Sequence, residues 1–396
     1  TTAARARRIA ARPPRRAQRM LEIGGEEVWT ARTLAHAIAA DPDMGLQLLR
    51  GGVVDQWLRR SLGDSALASR LDEAQRQRQT DAESDDTRAD SLLLTRAVAL
   101  LDPLAPLCWR GLSLWPDGLG PAIAATGESA QPHLAALEQL IAAEATAAWA
   151  ACRPERCDPM SLRTDAHQQR SLLRLRGLGG GMARLRYALN PLLPCASAAV
   201  AGAMVVRLTD VLPALEATAA GPNRPLAGPI DRELAAFMAA RHEQRIEGDL
   251  ASLANPRDAG HGLLVQLRLL GWLQQRLRLP GVPALTAWLA EQAAPLVEKW
   301  RNRPRREQVA AALSAVAKAG HLAAMLALLD DANAKAADEQ GAREAEQMVR
   351  RIDAELAQLE ADGPARAEEA RRIGQELAVA VALVAMAITV MAAALA

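Results

Sequence analysis

The chain has 396 residues, half of them apolar and 23% charged, and its formal net charge is +1. Only three of its 47 basic residues are lysines, namely Lys299, Lys318 and Lys335. A P-loop, a protein kinase and a pyridoxal enzyme each need a lysine in a defined motif, and none of the three lies in one, so these classes are excluded for this chain. The length itself predicts two or three domains at roughly 100–200 residues each.

Alanine, leucine and arginine dominate the composition, and all three have high helix propensity. The β-branched residues are scattered and rarely alternate with polar ones, which argues against an extensive β-sheet. We therefore predict an all-α fold, either a multi-helix bundle or a stacked helical array, that ends in a transmembrane helix.

Residues 1–29 carry a cluster of positive charge and are predicted to be a basic linker. Seven arginines and no acid occur among the first nineteen residues: Arg5, Arg7, Arg8, Arg12, Arg15, Arg16 and Arg19. A solvated linker and a contact with anionic lipid or nucleic acid are both consistent with this run. Because the net charge provides no global attraction for nucleic acid, we predict no nucleic-acid partner. The missing initiator methionine and signal region suggest a piece of a longer protein.

Residues 30–130 are predicted to be an N-terminal helical subdomain. Thr30 or Thr33 can cap a first helix that ends at Ala40, and short helices continue to about residue 77. The polar stretch 78–90 is typical of a linker, and the next helix spans 91–101. A segment rich in proline, glycine and tryptophan follows, in which Trp109 and Trp115 flank a turn or a short extended pair.

Residues 131–340 are predicted to be the main helical domain. Helical periodicity and proline or glycine breaks place helices at 132–150, 161–175, 231–250, 261–279, 284–300, 306–319 and 321–330. The segments AGHGLLVQLRLL and AGHLAAMLALL resemble each other, but two copies are too few to indicate a solenoid.

No motif points to catalysis. The six histidines lie one to a segment, and the glycine run 177–181 lacks the lysine of a phosphate loop. Cys152 and Cys157 have no second pair that would complete a zinc site, and four cysteines in so long a chain are typical of reduced thiols. We predict no catalytic residue, no metal ligand and no cofactor. Aromatic and polar side chains nevertheless provide a candidate ligand pocket, formed by Trp109, Arg110, Trp115 and Tyr187.

Residues 341–376 are predicted to be charged amphipathic helices, broken at Gly363-Pro364. Apolar residues recur every three or four positions, at Ala345, Met348, Ile352, Leu356 and Leu359. This stripe fits a partner helix, a second copy in a homodimer, or the body of the same chain.

Residues 377–396 are predicted to be a transmembrane helix. Thr389 is the only polar side chain among these twenty residues. Twenty helical residues span about 30 Å, the thickness of the hydrocarbon core. Arg371 and Arg372 precede the run, and the positive-inside rule therefore places the rest of the chain in the cytoplasm, with one span in the inner membrane. A buried helix of a soluble scaffold is the alternative.

Three segments, at 34–64, 103–120 and 184–197, resemble helical regions that follow a kinase-like domain in large bacterial membrane-associated regulators. The resemblance implies a kinase-type domain upstream of Thr1. We therefore expect a non-catalytic cytoplasmic module of a membrane-anchored signalling protein that binds protein partners. The alternative is a small-molecule sensor or an enzyme, with its pocket near Trp109, Trp115 and the 177–197 loops.

Overall fold

The computed structural model describes residues 14–83, 85–126, 131–153, 157–225, 228–242 and 246–394. Helices account for 73% of the chain and strands for 5%, which confirms the all-α prediction. The strands form two hairpins that pack on the helices.

The first hairpin occupies residues predicted to be a linker. Strand β1 (Arg16–Ile23) pairs antiparallel with β2 (Glu26–Thr30) through the turn Gly24-Gly25, where both φ angles are positive. Glycine adopts this turn without strain. The Trp57 indole donates to the Arg19 carbonyl at 2.9 Å, which fastens the hairpin to the helices. The linker prediction is therefore wrong for residues 16–29, whereas residues 1–13 lie outside the described residues.

Five elements complete the N-terminal region. They are α1 (Ala31–Ala40), α2 (Pro42–Arg50), α3 (Val53–Trp57) with a π-helical turn at Leu58–Leu62, α4 (Ser65–Ala82) and α5 (Asp86–Leu101). The Thr30 hydroxyl accepts from the Thr33 amide at 3.1 Å, so the predicted cap and the predicted end at Ala40 are both confirmed.

The polar stretch 78–90 is mostly helical, contrary to the linker prediction. It supplies the end of α4 and the start of α5. Arg78 pairs with Asp90 at 2.9 Å, and Arg96 pairs with Asp81 at 2.7 Å. These side chains bridge two packed helices, and the polar composition therefore reflects interhelical ion pairs and not an exposed linker.

The middle region begins with the tryptophan-containing hairpin. Strand β3 (Leu107–Trp109) pairs with β4 (Leu112–Leu114), which confirms the extended pair predicted there. It is followed by α6 (Leu119–Ala125), α7 (Gln131–Ala142), α8 (Ala145–Ala151), α9 (Pro159–Arg174) and α10 (Gly181–Ala188). The helix predicted over 132–150 is thus two helices. They meet at Glu144, whose φ of 53° lies in the left-handed region.

The C-terminal region contains the remaining helices before the last one. They are α11 (Leu208–Ala220), α12 (Arg232–Arg241), α13 (Glu247–Ala254), α14 (Ala259–Arg276), α15 (Pro283–Glu291), α16 (Ala294–Glu298), α17 (Arg303–Ala319) and α18 (Leu322–Leu329). The two similar sequence segments lie in α14 and α18, which pack against each other. At their contact, buried Gln274 donates to the carbonyls of Pro280 and Gly320 and accepts from the Leu322 amide.

Three hydrophobic cores stabilise the body, by which we mean the part of the chain before the last helix. The first draws on residues 17–101, the second on residues 92–185 and the third on residues 187–329. The second core joins Trp109 and Ile123 to Leu140 and Trp149, so it runs across the domain boundary predicted at residue 130.

The last element, α19 (Ala332–Ala394), is a single helix of 63 residues. The break predicted at Gly363-Pro364 is wrong, since Pro364 lies inside this helix. Proline removes one backbone donor at a cost of roughly 3 kcal/mol. The turns on either side are rich in alanine, glutamate and arginine, which are strong helix formers, and they continue the helix through the defect.

Candidate functional site

Among the residues that the structure describes, the C-terminal helix contacts the body only through its first turns. Asp338 is buried, and its carboxylate accepts from the backbone amides of Arg301 at 2.7 Å and Asn302 at 3.1 Å. Further along, Arg301 pairs with Glu346 at 3.2 Å. These contacts hold α19 against the loop that precedes α17. The sequence contains no signal for Asp338, because its partners are backbone groups 36 and 37 residues away.

Beyond residue 346, every side chain of α19 that the structure describes is exposed. Residues 347–376 form the part that we call the stalk, and residues 377–394 form the apolar segment. A straight helix of thirty residues is about 45 Å long. The stalk is therefore about one and a half times as long as a small domain is wide.

The apolar segment has the composition of a membrane span. One helix in the described part of the chain is long and apolar enough to cross a membrane, with a mean hydropathy of 2.0 over its best window and none of that window buried. Nine large apolar side chains are exposed by 59–63%: Leu377, Val379, Val381, Leu383, Val384, Met386, Ile388, Val390 and Met391. The alternative of a helix packed inside the body does not hold in this structure.

Within the described residues, charged side chains lie only at the start of that segment. Arg371, Arg372 and Glu376 lie immediately before it, and Arg372 is 3.8 Å from Glu376. Inside the segment, the Thr389 hydroxyl donates to the carbonyl of Ala385, so this single polar side chain is satisfied within the helix. A hydroxyl bonded in this way is compatible with hydrocarbon, since no polar group is left without a partner.

The four residues predicted to form a pocket are not brought together. Trp109 and Arg110 line a cavity of about 230 Å³ beside α1, to which neither Trp115 nor Tyr187 contributes. Trp115 is half exposed and packs edge-on against Trp149, with ring centroids 5.8 Å apart. Tyr187 is fully buried in the third core.

Two residues of the predicted pocket, Tyr187 and Arg110, have structural roles. The Tyr187 hydroxyl donates to Glu233 at 2.7 Å and accepts from the Ala196 amide at 3.0 Å, and burial raises the pKa of this phenol far above its ordinary value. Arg110 occupies the hairpin turn, where its guanidinium donates to Gln139 and to the Ser91 hydroxyl. Both side chains are therefore engaged in internal contacts.

A different cavity lies near the 177–197 stretch. It has a volume of about 480 Å³ and is lined by residues 116–120, by the end of α10 and by polar side chains of α9, including Asp165, Gln168 and Gln169. The glycine run itself is packed against the body. A Cβ at Gly180 would lie 2.3 Å from the Leu175 carbonyl oxygen, and one at Gly179 would lie 2.5 Å from Leu250. Close packing thus explains Gly179 and Gly180, whereas Gly177 and Gly181 have positive φ angles that favour glycine.

None of the four thiols has the lowered pKa of a reactive cysteine. Burial raises the pKa of Cys195 to about 11 and also raises the pKa values of Cys108, Cys152 and Cys157. A reactive cysteine needs a lowered pKa. No group of three or more histidine, cysteine, aspartate or glutamate residues able to hold a metal ion occurs in the described ranges.

Comparisons with known proteins find no relative of this chain. No protein-family model matches it, and neither curated protein sequences nor solved structures contain a match.

Proposed function

We propose that the protein is a non-catalytic helical module tethered to the bacterial inner membrane by residues 377–396. Its body lies on the cytoplasmic side and acts as a scaffold or regulatory region for protein partners and for an upstream kinase-like domain. The observation that supports the tether is the exposed apolar segment of α19, which packs on nothing in the described chain.

The energetic argument compares water with hydrocarbon. Exposed apolar area costs roughly 25 cal/mol per Å² in water, and monomeric proteins rarely expose a patch as long as this one. Inside a bilayer the same side chains are solvated by lipid, and the helix satisfies its own backbone hydrogen bonds. The 18 helical residues 377–394 span about 27 Å at 1.5 Å each, which matches the hydrocarbon core.

The orientation follows from the flanking charges. Arg371 and Arg372 lie within two turns of the apolar segment. Basic residues near a span are retained on the cytoplasmic side, so the body belongs to that side. Tethering acts by mass action, since it raises the local concentration of the body near other membrane proteins without requiring new contacts. The proposed kinase-like domain is supported only by the three segments that resemble such regulators.

The test inserts charge into the apolar segment of the full chain. The Leu383→Arg/Val384→Arg variant places two arginines near the bilayer centre, at a cost of about 2.5–3.5 kcal/mol each. The matched control is Ala354→Arg/Ala357→Arg, which adds the same charges to exposed positions of the stalk. We expect the wild type and the control to float with vesicles and to resist carbonate extraction, and the first variant to be extracted. If all three proteins are extracted, the tether does not exist.

A further inference from the structure

The stalk presents an apolar stripe that nothing in the described chain covers. Its residues repeat every seven positions, with Val349, Leu356, Gly363, Ala370 and Leu377 at one position and Ile352, Leu359, Arg366 and Ile373 three residues later. Val349, Ile352, Leu356 and Ile373 are exposed by 47–56%. This spacing is that of the a and d positions of a coiled coil, whose seam is normally buried against another helix.

The charges around the stripe are sorted by sign. The e and g positions border the seam. None of them carries a basic residue, and six are acidic: Asp353, Glu355, Glu360, Asp362, Glu369 and Glu376. The arginines of the stalk lie at the outer b and c positions, apart from Arg366 in the seam. Within the described residues, no ion pair forms at Asp353, Glu355, Glu360 or Glu369. Every charged residue at the border of the stripe is therefore acidic, whereas Met348, Ala367 and Gly374 at the border are uncharged.

This border disfavours two occupants. In a parallel pair of identical stalks, g of one helix faces e of the next heptad of the other, which sets Glu355 against Glu360 twice in each dimer. An antiparallel pair sets e against e and g against g, so carboxylates again meet carboxylates. Two copies of Arg366 would also share one layer of a parallel seam. An anionic bilayer surface would repel the same border.

We propose that the stalk is the docking surface for a basic partner helix, one with apolar a and d residues and lysine or arginine at its e and g positions. Charge complementarity at those positions determines which helices pair. This inference deepens the proposed function, on which it rests for the presence of a protein partner, and it names the class of partner.

The helix defect at Gly363-Pro364 is compatible with such a seam. Pro364 occupies an outer b position, so its ring lies outside the seam. Gly363 occupies an a position, where the missing side chain leaves space for a large residue of the partner. The structure keeps the helix continuous at this point, so the seam residues before and after the defect stay on one face.

The test uses the full chain in detergent micelles with two synthetic 35-residue helices as probes. Both carry isoleucine at a and leucine at d, and they differ only in lysine or glutamate at e and g. We expect the lysine peptide to bind roughly 30-fold more tightly than the glutamate peptide, as measured by fluorescence anisotropy. The advantage should fall as salt is raised.

Two charge-reversal variants identify the surface. Asp353→Lys/Glu355→Lys/Glu360→Lys/Glu369→Lys should reverse the preference toward the glutamate peptide, whereas Arg350→Glu/Arg351→Glu, at outer positions, should leave it unchanged. All these side chains are exposed, so the body stays folded.

Equal binding of the two peptides would overturn the proposal. Self-association of the chain in micelles that Ile352→Glu/Leu356→Glu abolishes would also overturn it, in favour of a second copy. Vesicle flotation of the quadruple variant measures membrane binding separately from peptide binding, since the four substitutions lie outside the apolar segment. A quadruple variant that floats with vesicles and still prefers the lysine peptide would reject the docking surface and leave the tether standing.

Discussion

Helix α18 and the apolar segment of α19 are both rich in alanine and large apolar residues, but they lie in opposite environments. The first reads LAAMLALL, and the second consists of alanine, valine, leucine and methionine with one isoleucine and one threonine. In α18, Leu322, Met325 and Leu329 are buried, whereas the apolar segment is exposed along its described length. Apolar content alone therefore does not distinguish a core helix from a membrane span.

What distinguishes them is whether a partner lies within reach. Gly320 takes a left-handed conformation and turns the chain back from α17, so that α18 lies on α14. Gln274 then bonds to both sides of that turn. In contrast, α19 is held by Asp338 and Arg301 at its start and has no second attachment among the described residues. The apolar segment begins too far from the body to reach a core.

The largest expected difference in the free energy of unfolding is between a leucine-to-alanine substitution in α18 and the same substitution in the apolar segment. Leu322→Ala removes a fully buried side chain and should lower the free energy of unfolding by about 2–5 kcal/mol. Leu383→Ala, in the apolar segment, should leave the unfolding of the body unchanged. Denaturant melts of both variants in detergent, followed by circular dichroism, measure the difference. A comparable loss for Leu383→Ala would mean that the apolar segment is part of the core.

A smaller effect on stability is expected at the start of α19, where this helix is attached to the body. Asp338→Asn keeps the shape of the side chain but replaces the carboxylate, whose two oxygens accept hydrogen bonds from two backbone amides. The attachment should weaken by about 1–3 kcal/mol, and the amides of Arg301 and Asn302 should exchange faster with solvent. Asp353→Asn, on the exposed stalk, is the matched control and should change nothing. Unchanged exchange in the Asp338 variant would show that other contacts hold the helix.

The smallest effect is a pH dependence confined to the body. Partial burial of Glu144 acts to raise its pKa, but the hydrogen bond from Arg170 at 3.0 Å and the contact with His167 outweigh it, so the pKa is below its ordinary value of 4.5. A carboxylate with a lowered pKa stabilises the fold at higher pH, and that contribution is lost as the pH falls below about 4.5.

Glu144→Gln should therefore cost about 0.2–1 kcal/mol at neutral pH and flatten the acid limb of a stability-against-pH curve. Glu138→Gln, at an exposed position of α7, should leave the curve as it is. An acid limb that persists in the Glu144 variant would assign the loss to other carboxylates.

Local rules accounted for much of the fold. The Thr30 and Asp231 caps follow from side chains that accept hydrogen bonds from backbone amides three residues away. The helix ends before proline follow from the clash of the proline ring with the residue before it. The sequence contains a signal for the first hairpin that the linker prediction overlooks. The signal is Gly24-Gly25 between two short extended segments, which is a recognised hairpin turn. The break at Glu144 had no such signal, since tertiary ion pairs hold it.

The amino-acid sequence by itself determined the helical class, the caps and a C-terminal segment apolar enough to span a membrane, since these depend on residue type and near neighbours. Only the tertiary structure decided that α18 is inside and the apolar segment outside, that Asp338 fastens α19, and that the tryptophan hairpin and Tyr187 belong to separate cores. Such outcomes depend on contacts between residues far apart in the chain, and composition and periodicity contain no record of them.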